Sequence, residues 1–248
     1  MRMPLIAGNW KMFKTRSAAA EFAAAFLQNY TASDVEVAIL APFTNLADLV
    51  QAFKSSGVKI GAQNMHFADE GAYTGEISPL MLKDLNIDYC IIGHSERRQH
   101  FAETDEVVNQ KLKAAFRHGI NPILCVGEVR SERETGQASA VVTSQLNKAL
   151  TDIKAREAAG LTVAYEPVWA IGTGLTATPE QAGEMCAVIR QILIDLYGEE
   201  TADQIRILYG GSVKPDNATE LLNQYEIDGA LVGGASLDPV NFLNIVQF

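Results

Sequence analysis

Leu161-Thr162-Val163-Ala164-Tyr165-Glu166-Pro167-Val168-Trp169-Ala170-Ile171-Gly172-Thr173-Gly174 opens as an apolar strand and ends as a loop. Residues 161–165 are β-rich and almost wholly apolar, the pattern of a strand buried on both faces. Pro167 has no N–H to give to a central ladder, so the strand stops before it. Glu166 is thereby set at the strand's C-terminal end, where parallel α/β sheets keep their chemistry. The Gly-spaced apolar segment 169–174 reads as a lid over a site. The plain alternative is a surface glutamate closing a strand before a turn. What the rest of the chain sets at the same level distinguishes the two.

Working outward, similar apolar runs recur from end to end. Strands are expected at 5–8, 36–40, 59–63, 89–93, 121–126, 161–165, 206–209 and 229–232. Most lack period-2 alternation, as parallel strands covered on both faces do. Helical periodicity fills the gaps, at 17–28, 45–53, 78–85, 104–118, 138–154, 179–197, 217–222 and 239–246. Thr104 and the Thr178-Pro179 pair read as helix starts, and His118 before Gly119 as a C-terminal cap. Strand and helix alternating in this way predict an α/β fold, a closed (β/α)8 barrel, which typically takes ~250 residues. The chain has 248, with no linker or shift in composition, so residues 1–248 are expected to form a single domain. A doubly wound sheet is the alternative, but no G-x-G-x-x-G follows the first strand. Residues 65–78 form the longest irregular stretch, and long loops inside compact domains are usually functional.

Composition narrows the partners. Apolar residues make up 48% of the chain, enough for a large core. No apolar run reaches the ~18 residues that span a bilayer, and the strand that follows Met1-Arg2-Met3-Pro4 is too short for a signal-peptide core. The net charge of −10 argues against nucleic acid or an anionic membrane as partner. Cys90, Cys125 and Cys186 have neither disulfide-framework nor metal-site spacing, and read as core residues in a reducing compartment. A soluble cytoplasmic protein is expected.

The residues just after the strands are polar in a consistent way. Asn9 and Lys11 follow the first, two apart and so on one face. His94, Ser95 and Glu96 follow the fourth, Glu166 the sixth, Gly210-Gly211-Ser212 the seventh and Gly233-Gly234 the eighth. All strands of a parallel barrel point the same way, so these groups converge on one rim. Paired glycines let backbone N–H groups approach an anion without an intervening Cβ, and the loops after the last two strands commonly hold phosphate. A helix starting at Ser95 would direct its positive end at the His94 ring and lower its pKa. His66, His100 and His118 have no such setting and read as ordinary residues.

Five strings carry a resemblance. They are Gly8-Asn9-Trp10-Lys11, Ile92-Gly93-His94-Ser95-Glu96-Arg97-Arg98, Tyr165 to Gly174, Tyr209-Gly210-Gly211-Ser212-Val213 and Val232-Gly233-Gly234-Ala235-Ser236-Leu237. In order and at matching spacing over nearly the whole chain, they resemble the triosephosphate isomerase family. The resemblance implies the TIM barrel that the family names, and an intramolecular aldose–ketose isomerase of glycolysis and gluconeogenesis. Such an enzyme interconverts dihydroxyacetone phosphate and D-glyceraldehyde 3-phosphate through an enediol(ate), without cofactor or metal. By the same resemblance Glu166 is base and acid, neutral His94 the electrophile, and Lys11 the cation that offsets phosphate and enediolate. Asn9 adds a donor and Glu96 is a supporting acidic group. Backbone N–H groups of Gly172, Ser212, Gly233 and Gly234 would hold the phosphate, with Tyr209 and Ser212 latching the lid. Residues 65–79 would form an intersubunit loop of a homodimer, Thr74 reaching the partner's site.

Three rivals remain at this level. A Schiff-base aldolase would want lysine where Glu166 stands. A metal-dependent aldolase would want clustered His and carboxylate ligands, and the histidines are scattered. A non-catalytic sugar-phosphate binding protein would need the glycine pairs but not a base, an electrophile and a lid together.

Overall fold

The computed structural model describes residues 2–170 and 177–248. Strands β1 (Leu5–Asn9), β2 (Glu36–Ala41), β3 (Lys59–Ala62), β4 (Tyr89–Ile92), β5 (Asn121–Val126), β6 (Thr162–Tyr165), β7 (Arg206–Tyr209) and β8 (Gly229–Val232) close into one barrel. Every pairing is parallel and follows chain order, β8 returning to β1. Around it run α1 (Arg16–Asn29), α2 (Phe43–Phe53), α3 (Pro79–Asp84), α4 (Ser95–Phe101), α5 (Asp105–His118), α6 (Arg130–Glu134), α7 (Ala138–Ala149), α8 (Ala155–Ala158), α9 (Pro179–Tyr197), α10 (Glu199–Ala202), α11 (Ala218–Leu222) and α12 (Pro239–Val246). This is the predicted (β/α)8 barrel.

Successive side chains alternate across a strand, so each apolar run feeds two cores. Leu5, Ala7, Ala38, Leu40, Tyr89, Ile91, Ile123, Cys125, Ala164, Leu208 and Leu231 pack inside the barrel. Their neighbours Ile6, Val37, Ile39, Cys90, Leu124, Val163 and Ile207 pack outward against the helices. Both faces are apolar, which is why the runs show no alternation. Counting on by two from the inner residues reaches Asn9 after Ala7, Glu166 after Ala164, Gly210 after Leu208 and Gly233 after Leu231. The barrel axis at its C-terminal end therefore receives these residues by strand parity alone.

An aromatic cluster anchors this end from outside. Ring centroids of Trp10 and Phe22 lie 4.9 Å apart, Phe22 and Phe26 5.7 Å, and Phe26 and Phe242 5.8 Å, joining α1 and α12 over β1. Trp10 Nε1 donates to the Ser236 carbonyl at 3.1 Å, which fixes the 3-10 turn Gly234–Leu237 beside the end of β1.

Several boundaries differ from expectation. β1 runs one residue further, to Asn9, and β4 stops at Ile92 because Gly93 turns at φ +74°. The helix expected over 138–154 ends at Ala149; Asp152, at φ +61°, turns the chain before α8 begins. No Gly or Pro marks that break, so periodicity could not show it. His118 does not cap its helix. Gly119, at φ +65°, does so through its own N–H, and the His118 ring goes instead to Asp69 Oδ1 at 2.8 Å. The three cysteines are free and buried. Among the described residues, no helix is long and apolar enough to cross a membrane.

Closure of the barrel depends on one glycine. Gly229 pairs with Leu5 across the β8–β1 seam at φ +144°, and a Cβ there would lie 2.0 Å from the Leu5 carbonyl oxygen. Backbone cannot yield as a flexible side chain can. Gly229→Ala is expected to destabilise the protein by about 3 kcal/mol or more. Urea denaturation measures this, and a variant within about 1 kcal/mol of the parent would show that the seam tolerates a methyl group.

Candidate active site

The Glu166 amide donates to the Val126 carbonyl at 2.8 Å, continuing the ladder one residue past β6. Its side chain points along the barrel axis and is 2% exposed. A carboxylate so buried must be paired and hydrogen-bonded to remain charged. Oε1 lies 2.9 Å from His94 Nε2, and Oε2 accepts the Ser95 N–H at 2.9 Å. Burial pushes the carboxyl up; the facing His94 ring, its hydrogen bond and the Ser95 amide outweigh this and hold it below the usual carboxylate range.

His94 is the N-cap of α4, and its Nδ1 accepts the Glu96 N–H at 3.2 Å. Nδ1 is thus the acceptor, which leaves Nε2 as the protonated nitrogen of the neutral ring. The helix start therefore meets the ring, at Nδ1. The net direction is opposite to expectation, however. Burial lowers the His94 pKa, but Glu166, by charge and hydrogen bond, raises it above the ordinary value. Sequence showed the helix start and not the carboxylate facing the ring.

Lys11 adopts a left-handed backbone, φ +51°, and its N–H donates to Asn9 Oδ1 at 3.0 Å. Its Nζ meets Glu96 Oε1 at 2.6 Å. Asn9, Lys11, His94 and Glu166 line a cavity of about 680 Å3 together with Gly210, Gly211, Ser212, Gly233 and Gly234. Around Gly234 a Cβ would meet nothing within 4 Å, and around Gly233 its nearest neighbour would be Lys11 Cε at 3.6 Å. These two face open space beside a cation. The 3-10 turn starts at Gly234, and the leading N–H groups of such a turn have no partner within it. Gly211 is different. A Cβ there would lie 2.1 Å from the Tyr209 hydroxyl, so packing on Tyr209, rather than anion approach, requires glycine at that position.

Tyr209 is buried, and its hydroxyl has no hydrogen-bond partner among the described residues. Burial pushes the phenol up to about 12. Gly172 and most of the expected lid lie outside the described residues. His66, His100 and His118 do not line the cavity. Among the described residues, no cluster of three or more His, Cys, Asp or Glu side chains is arranged to hold a metal ion.

Two features escaped the sequence. The Ser95 amide holds Glu166, and a backbone donor leaves no trace in residue type. Glu128 is fully buried, with Oε1 accepting from Tyr165 Oη at 3.1 Å and from Trp169 Nε1 at 2.8 Å. It ties the segment after Glu166 to the loop after β5. Reading the residues after β5 as those after the other strands were read would have found it.

The Glu166–His94 contact makes a direct expectation. Removing the charge in Glu166→Gln takes away the two largest influences that raise the His94 pKa and leaves burial, the largest of all, and Lys11 to lower it against Glu96 alone. The ring should titrate at lower pH in Glu166→Gln than in the parent, by ring-nitrogen NMR. An unchanged or higher value would mean that the carboxylate does not control the imidazole.

Comparison with known proteins places this geometry. The family model described as triosephosphate isomerase matches residues 4–248. Proteins named triosephosphate isomerase from Carboxydothermus hydrogenoformans and Lactiplantibacillus plantarum are 55% and 52% identical, each across all of this chain and 99% of the relative. One from Dictyoglomus thermophilum is 50% identical over the full length of both. With its matched strings gathered around one cavity at the barrel's C-terminal mouth, the chain belongs to the triosephosphate isomerase family.

Proposed function

We propose that the chain interconverts dihydroxyacetone phosphate and D-glyceraldehyde 3-phosphate by moving one proton between neighbouring carbons through an enediol(ate). The observation that carries this reading is a buried carboxylate, Glu166, in contact with an imidazole, His94, lining one cavity with the open Gly233-Gly234 turn. The substrate's phosphate lies against the N–H groups of Ser212, Gly233 and Gly234, and of Gly172. Glu166 leaves Ser95 and His94, takes the proton from one carbon and returns it to the next; having acted as base it has become the acid. Once the carboxylate has moved away, the larger influences raising the His94 pKa go with it. The neutral ring then donates from Nε2 to the oxygen on which charge develops. Lys11 turns from Glu96 toward the phosphate and enediolate, with Asn9 beside it. Closure of the lid, latched by Tyr209 and Ser212, excludes water from the intermediate. These residues carry out the proton transfer without a cofactor or metal.

A homodimer completes the site in this reading. Met12 and Phe101 are exposed and share a cavity of about 300 Å3 with Lys11, His94 and Glu96. Exposed apolar surface at a catalytic rim fits a protein partner. The loop 65–78 is held at its base by the His66 N–H to Ile77 carbonyl bond and carries Thr74 outward, suited to reach a second copy. The whole chain works as one catalytic domain in the cytoplasm, its buried thiols reduced.

A coupled assay for glyceraldehyde 3-phosphate formed from dihydroxyacetone phosphate tests the reaction and the base together. The parent should turn over. Glu166→Asp withdraws the carboxylate by about 1 Å, and kcat should fall on the order of 10²-fold with KM little changed. Absence of parent activity would remove the function; parent-like kcat in Glu166→Asp would remove Glu166 as base.

A further inference from the structure

His94 does not reach the site by strand parity. Tyr89 and Ile91 face into the barrel, so an unbroken β4 would send residue 93 inward and residue 94 outward to the helices. The chain instead turns at Gly93, φ +74°, and this brings the imidazole round to Glu166. Glycine permits that angle but does not hold it, because it also has the most conformations to lose.

The Gly93 peptide groups are held from both sides by ionised side chains. Its N–H donates to Glu103 Oε1 at 3.0 Å, and its carbonyl accepts from Arg98 Nε at 2.8 Å. Each clamp is braced in turn. Glu103 Oε2 takes Arg97 Nε and Lys111 Nζ, both at 2.7 Å, and Lys111 Nζ also donates to Asn64 Oδ1 at 2.7 Å. Glu103 and Lys111 are 6% and 4% exposed. Arg98 is tied to Asp105 Oδ1 at 2.6 Å and to the Cys125 carbonyl at 3.3 Å. A buried ion pair is a poor stabiliser, since apolar residues of similar volume often serve as well or better. What apolar residues cannot supply is a fixed acceptor for the Gly93 N–H.

We propose that Glu103 and Arg98 are positioning residues for His94, gripping the Gly93 peptide from both sides so that Nε2 stays aimed at the reacting oxygen. This rests on His94 acting as electrophile in the isomerisation.

The test compares two folded variants that both lose the ion pair. Glu103→Leu with Lys111→Met removes the acceptor for Gly93. Glu103→Gln with Lys111→Met keeps an amide oxygen in its place. In the first, kcat should fall about tenfold or more at unchanged KM, and the His94 ring-nitrogen resonances should move. In the second, kcat should stay within about threefold of the parent, whatever the melting temperature. A merely structural role predicts equal kcat in both, and that result overturns the proposal. If the Leu/Met variant does not fold, Arg98→Met removes the donor to the Gly93 carbonyl; the same loss of kcat is expected there, and parent-like kcat overturns the proposal. His94→Gln is measured alongside. Should it retain parent kcat, the reading of His94 fails; should it lose activity while the clamp variants do not, the positioning inference alone fails.

Discussion

A carboxylate buried at the mouth of this barrel must find its hydrogen bonds within the protein, and the site is arranged around that constraint. Glu166 is inward-facing by strand parity from Ala164, and Pro167 after it has no N–H to donate. Its two oxygens find the His94 ring and the Ser95 amide. That amide is free because α4 begins there, and α4 begins there because Gly93 ends β4 with a left-handed turn. Polar satisfaction of one buried group thus links the ends of β4 and β6, the start of α4 and the loop between them.

The cavity gathers groups of two kinds at one mouth. Residues after β1, β4 and β6 supply the groups that gain, lose or share protons. The turn after β8 supplies backbone dipoles facing open space beside Lys11, and Ser212 after β7 stands next to it. In the proposed reaction a phosphorylated three-carbon substrate reaches both kinds, so binding energy from its phosphate would orient the reacting carbons at Glu166. The arrangement also reconciles an anionic ligand with a chain of net charge −10. Potential near the site is set by Lys11 and Lys214 at the cavity and a few N–H groups, not by the total charge. Glu96 keeps Lys11 in place before the ligand arrives, at 2.6 Å.

Much of this was legible in the sequence, for physical reasons. Parallel strands buried on both faces leave apolar runs that need no partner to be seen, so the eight strands and their order were readable. The residues that follow them were readable because all strands of such a barrel end at one rim. What escaped depends on tertiary neighbours. The direction of the His94 pKa shift is set by a carboxylate from another strand. Gly211 is glycine because the Tyr209 hydroxyl occupies the space beside it. In sequence Lys111 reads as one more charge on a helical stretch and Glu103 as one just before it; their buried setting comes from the turn after β4 and the loop after β3. The break after Ala149 occurs without Gly or Pro, at Asp152 in a left-handed turn.

The central claim is that Glu166 rests on Ser95 and His94 until a phosphorylated substrate draws it onto the reacting carbons. A crystal structure with a phosphate-bearing analogue of the enediolate tests this most directly. The account predicts that the analogue's phosphate lies against the N–H groups of Ser212, Gly233 and Gly234, that the Glu166–Ser95 hydrogen bond is broken, and that the carboxylate faces the analogue's reactive end. An analogue bound with its phosphate elsewhere, or with Glu166 still accepting from the Ser95 N–H, would contradict it.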